Sequence, residues 1–390
     1  MKYLHYLILS TIVIAASVFA SCSKDDDEEI IYVEYDTTIV NKIVNQVVIV
    51  SELSEGELSC KRPEYLQVGD KVALISPSYY TPTTNVEKAA AVLRSWGLEP
   101  VIGENVGKID ADKYAGTVDE RLADLRWALE DDNIKAIICN RGGYGAIQLV
   151  SQLTTNELAA HPKWLVGFSD ITTLHGLLSC AGVMSIHGTM STFLASSGGT
   201  DATSTTMRDV LMGNIPRYEL PAHSQNITGK GSGTLVGGNI CTFVPLLGSQ
   251  ADATAHDSLI LFIEEIGESM HNIDRLFNML LLNGVLSRCN GVVLGEFVDC
   301  GSEFSYASIE AMLKPYIEIY NIPLLCGFPA GHGSVNMPLV MGANVTIDVR
   351  EDGSTLSFNI DGNEQTISTK TLAKSPINAL TIMKLAGKLN

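Results

Sequence analysis

From Tyr65 onward the sequence alternates short apolar runs, each closed by a turn signal, with longer stretches of helical apolar spacing. That alternation restricts the fold more than any other feature of the chain. Residues 72–75 form the first run and end at Ser76-Pro77-Ser78, and residues 86–96 carry helical spacing that stops at Gly97. A helix over 118–129, a strand over 136–139, a glycine-rich turn, a helix over 146–153, a strand over 165–168 and a helix beginning at Asp170 are expected to follow. Strands separated by helices of this length need crossover connections, so the pattern implies βαβ units and a parallel sheet.

At 390 residues the chain is too long for one domain of ordinary size, and 46% hydrophobic content is ample for a buried core, so two domains are expected. A polar region rich in Ser, Thr and Gly reads as a linker over 196–230, between a nucleophile-bearing domain over 63–195 and a second domain over 231–390. The second domain should hold strands over 259–263 and 292–294. Its helix over 272–282 places Ile273, Leu276, Phe277, Leu280 and Leu281 on one face. A formal net charge of -18 would be repelled by a phosphate backbone, which excludes nucleic acid as a partner.

Residues 1–21 read as a targeting segment: Lys2 supplies the positive start, and the apolar stretch over 6–20 is short for a permanent membrane helix. Ala20-Ser21 followed by Cys22 resembles the lipobox of bacterial lipoproteins, with Phe19 where leucine is usual. The acidic run over 25–29 looks like the export tag of some Gram-negative lipoproteins. This similarity implies acylation of Cys22 and an outer-membrane lipoprotein of the cell envelope, while an ordinary cleaved signal with an incidental cysteine fits the same residues; the stretch over 22–62 is expected as a tether, with an added strand pair or a short helix as the alternatives its pattern leaves open. The other seven cysteines show no C-x-x-C pair and no histidine cluster at metal spacing, so neither a metal nor a complete disulfide framework is expected.

Four segments carry chemistry. In Trp164-Leu165-Val166-Gly167-Phe168-Ser169-Asp170-Ile171 an apolar strand runs straight into a helical pattern. A serine at such a turn is pushed out at the sheet edge, beside helix-start amides that can stabilise an oxyanion. Ile171 stands where G-x-S-x-G has its second glycine, and an ordinary helix N-cap fits the same residues. Arg141-Gly142-Gly143-Tyr144-Gly145 is a turn in which backbone can approach a ligand closely, or simply a tight turn. Glu264, Glu265 and Glu268 follow an apolar run and could orient a histidine, and spacing does not rank them. His332 lies in the glycine-rich loop Gly327-Phe328-Pro329-Ala330-Gly331-His332-Gly333-Ser334. His175 and His187 read as packing residues first, with His187 close enough to a strand end to line a site.

In this order the four segments resemble the LD-carboxypeptidase family, which includes the microcin-immunity peptidases. Gly69-Asp70-Lys71-Val72, Ile273-Asp274-Arg275 and the stretch from Met337-Pro338-Leu339 to Gly342 add to the likeness, which covers roughly residues 64 to 350. With the βαβ pattern, the expected fold class is α/β in two domains. The first is a flavodoxin-like, glutamine-amidotransferase-like parallel sheet with helices, and the second a smaller α/β domain. The resemblance implies Ser169 as nucleophile, His332 as general base and then acid, and Glu264 as the histidine's orienter. It also implies backbone amides of Gly143 and Asp170 as an oxyanion hole, no cofactor, and a homodimer. The implied reaction releases D-Ala from murein tetrapeptides. The alternatives are a microcin-immunity-like peptidase or amidase acting on a peptide conjugate, and a lipoprotein that binds muropeptides without turning them over. Arg141 is the candidate for binding the substrate carboxylate.

Overall fold

The computed structural model describes residues 56–301 and 305–371, so the targeting segment, Cys22 and the acidic run lie outside the described residues. The first sheet is built from β1 (Lys71–Ile75), β2 (Glu99–Ile102), β3 (Ile134–Cys139), β4 (Trp164–Gly167) and β5 (Ser185–His187), all parallel, in the order β5-β4-β3-β1-β2. Its central strands β3 and β4 are buried almost throughout, which is why they appear in the sequence as continuous apolar runs and not as alternation. The crossovers are α1 (Thr83–Ser95), α2 (Val118–Glu130), the short α3 (Ile147–Val150) and α4 (Thr155–Ala160), and α5 (Thr172–Cys180). Helix α2 starts on a capping box, in which the Thr117 hydroxyl accepts from the Glu120 amide while the Glu120 carboxylate accepts from the Thr117 amide.

The polar stretch expected as a linker over 196–230 is instead structured. It holds the end of α6 (Ser191–Ser197), all of α7 (Ala202–Leu211) and β6 (Asn214–Pro221). Helix α7 is capped by Asp201 and buries Met207, Val210 and Leu211 beside Thr203, Ser204 and Thr206, so a polar composition conceals an inward face. Leu58 and Lys61, expected within a tether over 22–62, are tied into the fold. Leu58 is buried, its carbonyl accepts from the Thr234 hydroxyl, and the Lys61 amide donates to the Gly182 carbonyl.

The remaining elements are β7 (Gly229–Asn239), α8 (Ile240–Phe243), β8 (Leu259–Ile266), α9 (Met270–Leu282), β9 (Cys289–Val298), α10 (Ile309–Glu318), β10 (Leu324–Leu325), β11 (Leu339–Met341), β12 (Asn344–Arg350), β13 (Gly353–Phe358) and β14 (Asn363–Ser368). The second sheet runs β10-β9-β8-β7-β12-β13-β6-β14, parallel from β10 to β7 and antiparallel through β12 and β13 to β6. With eight strands it is the larger of the two sheets, and it takes in β6 from the stretch before residue 231. Strand β11 leaves this region and pairs antiparallel with β5, so the two sheets are stitched together just past the His332 loop. Ile273, Phe277 and Leu280 of α9 are buried, as the helical spacing requires.

The seven cysteines among the described residues are all free thiols, and burial pushes several, Cys60 and Cys289 among them, up to about 12. Among the described residues no helix is long and apolar enough to cross a membrane.

Candidate active site

Ser169 sits where β4 turns into α5. Phe168 is extended (φ -153°, ψ -173°), Ser169 itself takes the left-handed conformation (φ 65°), and one 3-10 turn over Ser169–Ile171 leads into the helix. A non-glycine residue held there costs about 1–3 kcal/mol, so the surrounding packing has to enforce it. Gly167 and Ile171 supply part of that packing. A Cβ on Gly167 would stand 2.8 Å from Ile171 Cγ1, so the bulky residue in place of the second glycine of G-x-S-x-G fills the space Gly167 leaves. His175, in α5, clamps the strand end: its Nε2–H donates to the Gly167 carbonyl at 2.9 Å and its Nδ1 accepts from the Ser185 hydroxyl at 2.8 Å. Burial holds its pKa down to about 4, and it is a structural residue.

The glycine-rich turn lies directly against this elbow. A Cβ on Gly142 would stand 2.9 Å from Ser169 Cβ and 3.1 Å from its Oγ, and a Cβ on Gly143 (φ 108°) would run into the Tyr79 ring. Gly143, Ser169 and Asp170 line one pocket of about 300 Å³, whose far wall includes Asn239, Cys241 and Thr242 from the second sheet's side. Arg141 does not line this pocket. Its guanidinium reaches the Tyr80 carbonyl at 3.5 Å and lies 5.8 Å from the Tyr79 ring centre.

Glu264 and His332 are paired. His332 Nδ1–H donates to Glu264 Oε2 at 2.6 Å, and both side chains are almost wholly buried. Because a carboxylate only accepts, this bond puts the ring proton on Nδ1 and leaves Nε2 with its lone pair available. Nε2 has no hydrogen-bond partner, and no hydrogen bond joins it to Ser169 Oγ in this arrangement. The His332 ring packs on Phe168, the residue before Ser169, with centroids 4.9 Å apart. The loop can carry the imidazole to this position only because glycines flank it. A Cβ on Gly331 would stand 2.6 Å from Glu264 Oε2, and one on Gly333 would fall on the Glu296 carboxylate.

The neighbouring acids divide by strand alternation. Strand β8 extends through both glutamates, which were expected just past its end. Glu265 therefore turns to the other face, where its carboxylate accepts from Asn239 Nδ2 (2.9 Å), the Ile266 amide (2.8 Å) and the Cys241 amide (3.0 Å). Burial and the adjacent Glu264 raise its pKa. His187 is fully buried beneath the His332 loop. It donates to Asn336 Oδ1 at 3.2 Å, and the same oxygen accepts the Gly331 amide at 2.9 Å. The sequence contains no motif pointing to Asn336 or to the buried Arg121, which donates to the Gly145 carbonyl of the glycine-rich turn.

Residues 72–188 match the LD-carboxypeptidase N-terminal domain and residues 232–347 the LD-carboxypeptidase C-terminal domain. A putative carboxypeptidase of Synechocystis is 33% identical over 301 residues, covering 76% of this chain and 97% of the relative. The murein tetrapeptide carboxypeptidase of Pseudomonas aeruginosa is 30% identical, over 72% of this chain and 94% of the relative. The crystal structure of muramoyltetrapeptide carboxypeptidase from Oxalobacter formigenes superposes with a TM-score of 0.67 at 26% identity, over 75% of this chain and all of that one. The chain belongs to the LD-carboxypeptidase family and is a hydrolase of the serine-peptidase type.

Proposed function

We propose that this protein hydrolyses the L,D bond that releases the terminal D-alanine from murein tetrapeptides, through an acyl-enzyme on Ser169. The observation that carries the reading is a serine held at φ 65° on the wall of a pocket, with a buried Glu264–His332 pair packed on its neighbour Phe168. In the proposed reaction the Ser169 hydroxyl attacks the peptide carbonyl and gives its proton to His332 Nε2. Glu264 stabilises the imidazolium that forms. The amides of Gly143 and Asp170, two residues that line the same pocket as Ser169, receive the developing oxyanion. His332 then protonates the departing amine of D-alanine, and water, deprotonated by the same nitrogen, releases the acyl chain.

Incubating wild-type protein and Ser169→Ala with a defined tetrapeptide and measuring free D-alanine tests the assignment. The variant should lose activity by about ten-thousandfold or more. Equal release would remove Ser169 from the reaction.

We further propose that the protein acts from the cell envelope on lipidated Cys22, a reading supported by Ala20-Ser21-Cys22 and the acidic run after it. Radiolabelled palmitate should enter the wild-type protein and not Cys22→Ser. Equal labelling of both would refute the anchor.

A further inference from the structure

Arg121 is a buried charge outside the proposed reacting set. It lies on the inward side of α2 among Leu122 and Leu125 and is 2% exposed. A cation so placed is strongly unfavourable unless its donors are satisfied and a negative group is near. One terminal guanidinium nitrogen donates to the Pro77 carbonyl at 2.8 Å and to the Gly145 carbonyl at 2.9 Å, and the other donates to Gln148 Oε1. The group also lies over the Tyr114 ring, 5.2 Å from its centre.

Asp170, 4% exposed, makes the complementary contacts. Its carboxylate accepts the Ser78 hydroxyl at 2.6 Å and the Ala146 amide at 2.8 Å. Residues 77–78 and 145–146 are thus each gripped twice, the first carbonyl of each pair by Arg121 and a proton donor of the next residue by Asp170. Burial raises the pKa of the Asp170 carboxyl, and the bonds from Ser78 and Ala146 and the nearby Arg121 guanidinium oppose that rise. The turn that presents Gly143 leads directly into the second grip. Its other side is held by the Tyr79 amide, which donates to the Gly142 carbonyl at 3.3 Å, and by the Tyr79 ring against Gly143. Arg121 itself does not line the pocket.

The geometry points to Arg121 as a positioning residue that fixes the 142–145 turn against Ser169, so that the Gly143 amide stays aimed at the oxyanion. The inference rests on the peptidase reading above. Without the guanidinium the buried Pro77 carbonyl loses its donor, the Gly145 carbonyl keeps only the Gln148 amide, and the tie between residue 77 and the turn is cut, which lets the turn shift. A displacement of about 1 Å at a reacting centre costs on the order of a hundredfold in rate.

The test uses the full chain with Arg121→Met and Arg121→Lys. Two quantities are measured for each: kcat and KM for D-alanine release, and the second-order rate of inactivation by a fluorophosphonate, which needs the oxyanion donors but no peptide. The methionine variant should lose about 10- to 100-fold in kcat and in inactivation rate with KM within about threefold, and lysine should recover part of the loss. A folded Arg121→Met that inactivates within twofold of wild type, or whose whole loss lies in KM, would overturn the inference. If Arg121→Met does not fold, Gln148→Met, which removes the acceptor that aims the guanidinium, decides instead: a severalfold slower inactivation supports the inference and an unchanged rate sinks it. Normal inactivation of wild type without D-alanine release would break the substrate reading and leave the positioning role standing.

Discussion

Ser169 and His332 are held in place by different means. The serine is fixed by its own backbone, a left-handed residue wedged between a strand end and a helix start, with Gly167, Ile171 and His175 packed around it over a few positions of sequence. The histidine is fixed from far away, by a carboxylate 68 positions earlier and by two glycines whose missing side chains make room for Glu264 and Glu296. In the proposed reaction the nucleophile is therefore built locally and tolerates change elsewhere in the molecule, whereas the base is built from distant contacts and depends on the second sheet being correctly assembled.

The largest test of that contrast compares two adjacent acids. Glu264→Gln removes the negative partner of the imidazolium and should lower kcat by about a thousandfold to ten-thousandfold. Glu265→Gln, on the opposite face of β8, should spare kcat and lower the melting temperature, because it weakens bonds to Asn239, Cys241 and Ile266. Steady-state kinetics beside thermal melts of the two variants separates them, and similar kcat losses would mean that strand alternation does not divide their roles. Next in size, Gly333→Ala puts a methyl group onto the Glu296 carboxylate and should displace His332, with a kcat loss of about a hundredfold and a native-like fold by circular dichroism.

The elbow has its own signature in stability against pH. His175 has a pKa near 4 in the folded protein and about 6.5 when unfolded, so between those values the unfolded chain binds the extra proton. Its contribution is fully present above pH 6.5 and is lost as pH falls toward 4, by up to about 3 kcal/mol. Asp170 and Glu265, whose buried carboxyls are shifted upward, work in the opposite direction, so the histidine's share is isolated by difference. Urea titrations of wild type and His175→Gln between pH 4 and 7 should show a shallower pH slope in the variant. The smallest effect is also the most local. Ser169→Gly relieves the left-handed strain and should raise stability by about 0.5–1 kcal/mol while abolishing turnover, and a loss of stability would mean that the turn carries no strain.

The same contrast explains what could be read in the sequence. The central parallel strands β1, β3 and β4 are buried almost throughout and therefore stand out as apolar runs, whereas β2 and β5 do not, and the serine is recognisable because strand, turn and helix follow one another directly. The region over 196–230 has a linker's composition yet holds a helix, because α7 turns threonine and serine inward beside Met207 and Leu211. Spacing did not separate Glu264 from Glu265, which the resemblance alone ranked, because β8 runs three residues beyond the apolar run, to Ile266, and turns the two side chains to opposite faces. Arg121 left no trace, since one basic residue in an amphipathic helix normally faces solvent, and only the three-dimensional fold brings Pro77 and Gly145 to it.

The central claim is that Ser169 and His332 act as one unit, and a double-substitution cycle on D-alanine release tests it most directly. The account predicts that Ser169→Ala combined with His332→Ala is no slower than either single variant, because each alone already removes the shared step. Losses that multiply would mean that the two residues act independently and would contradict it.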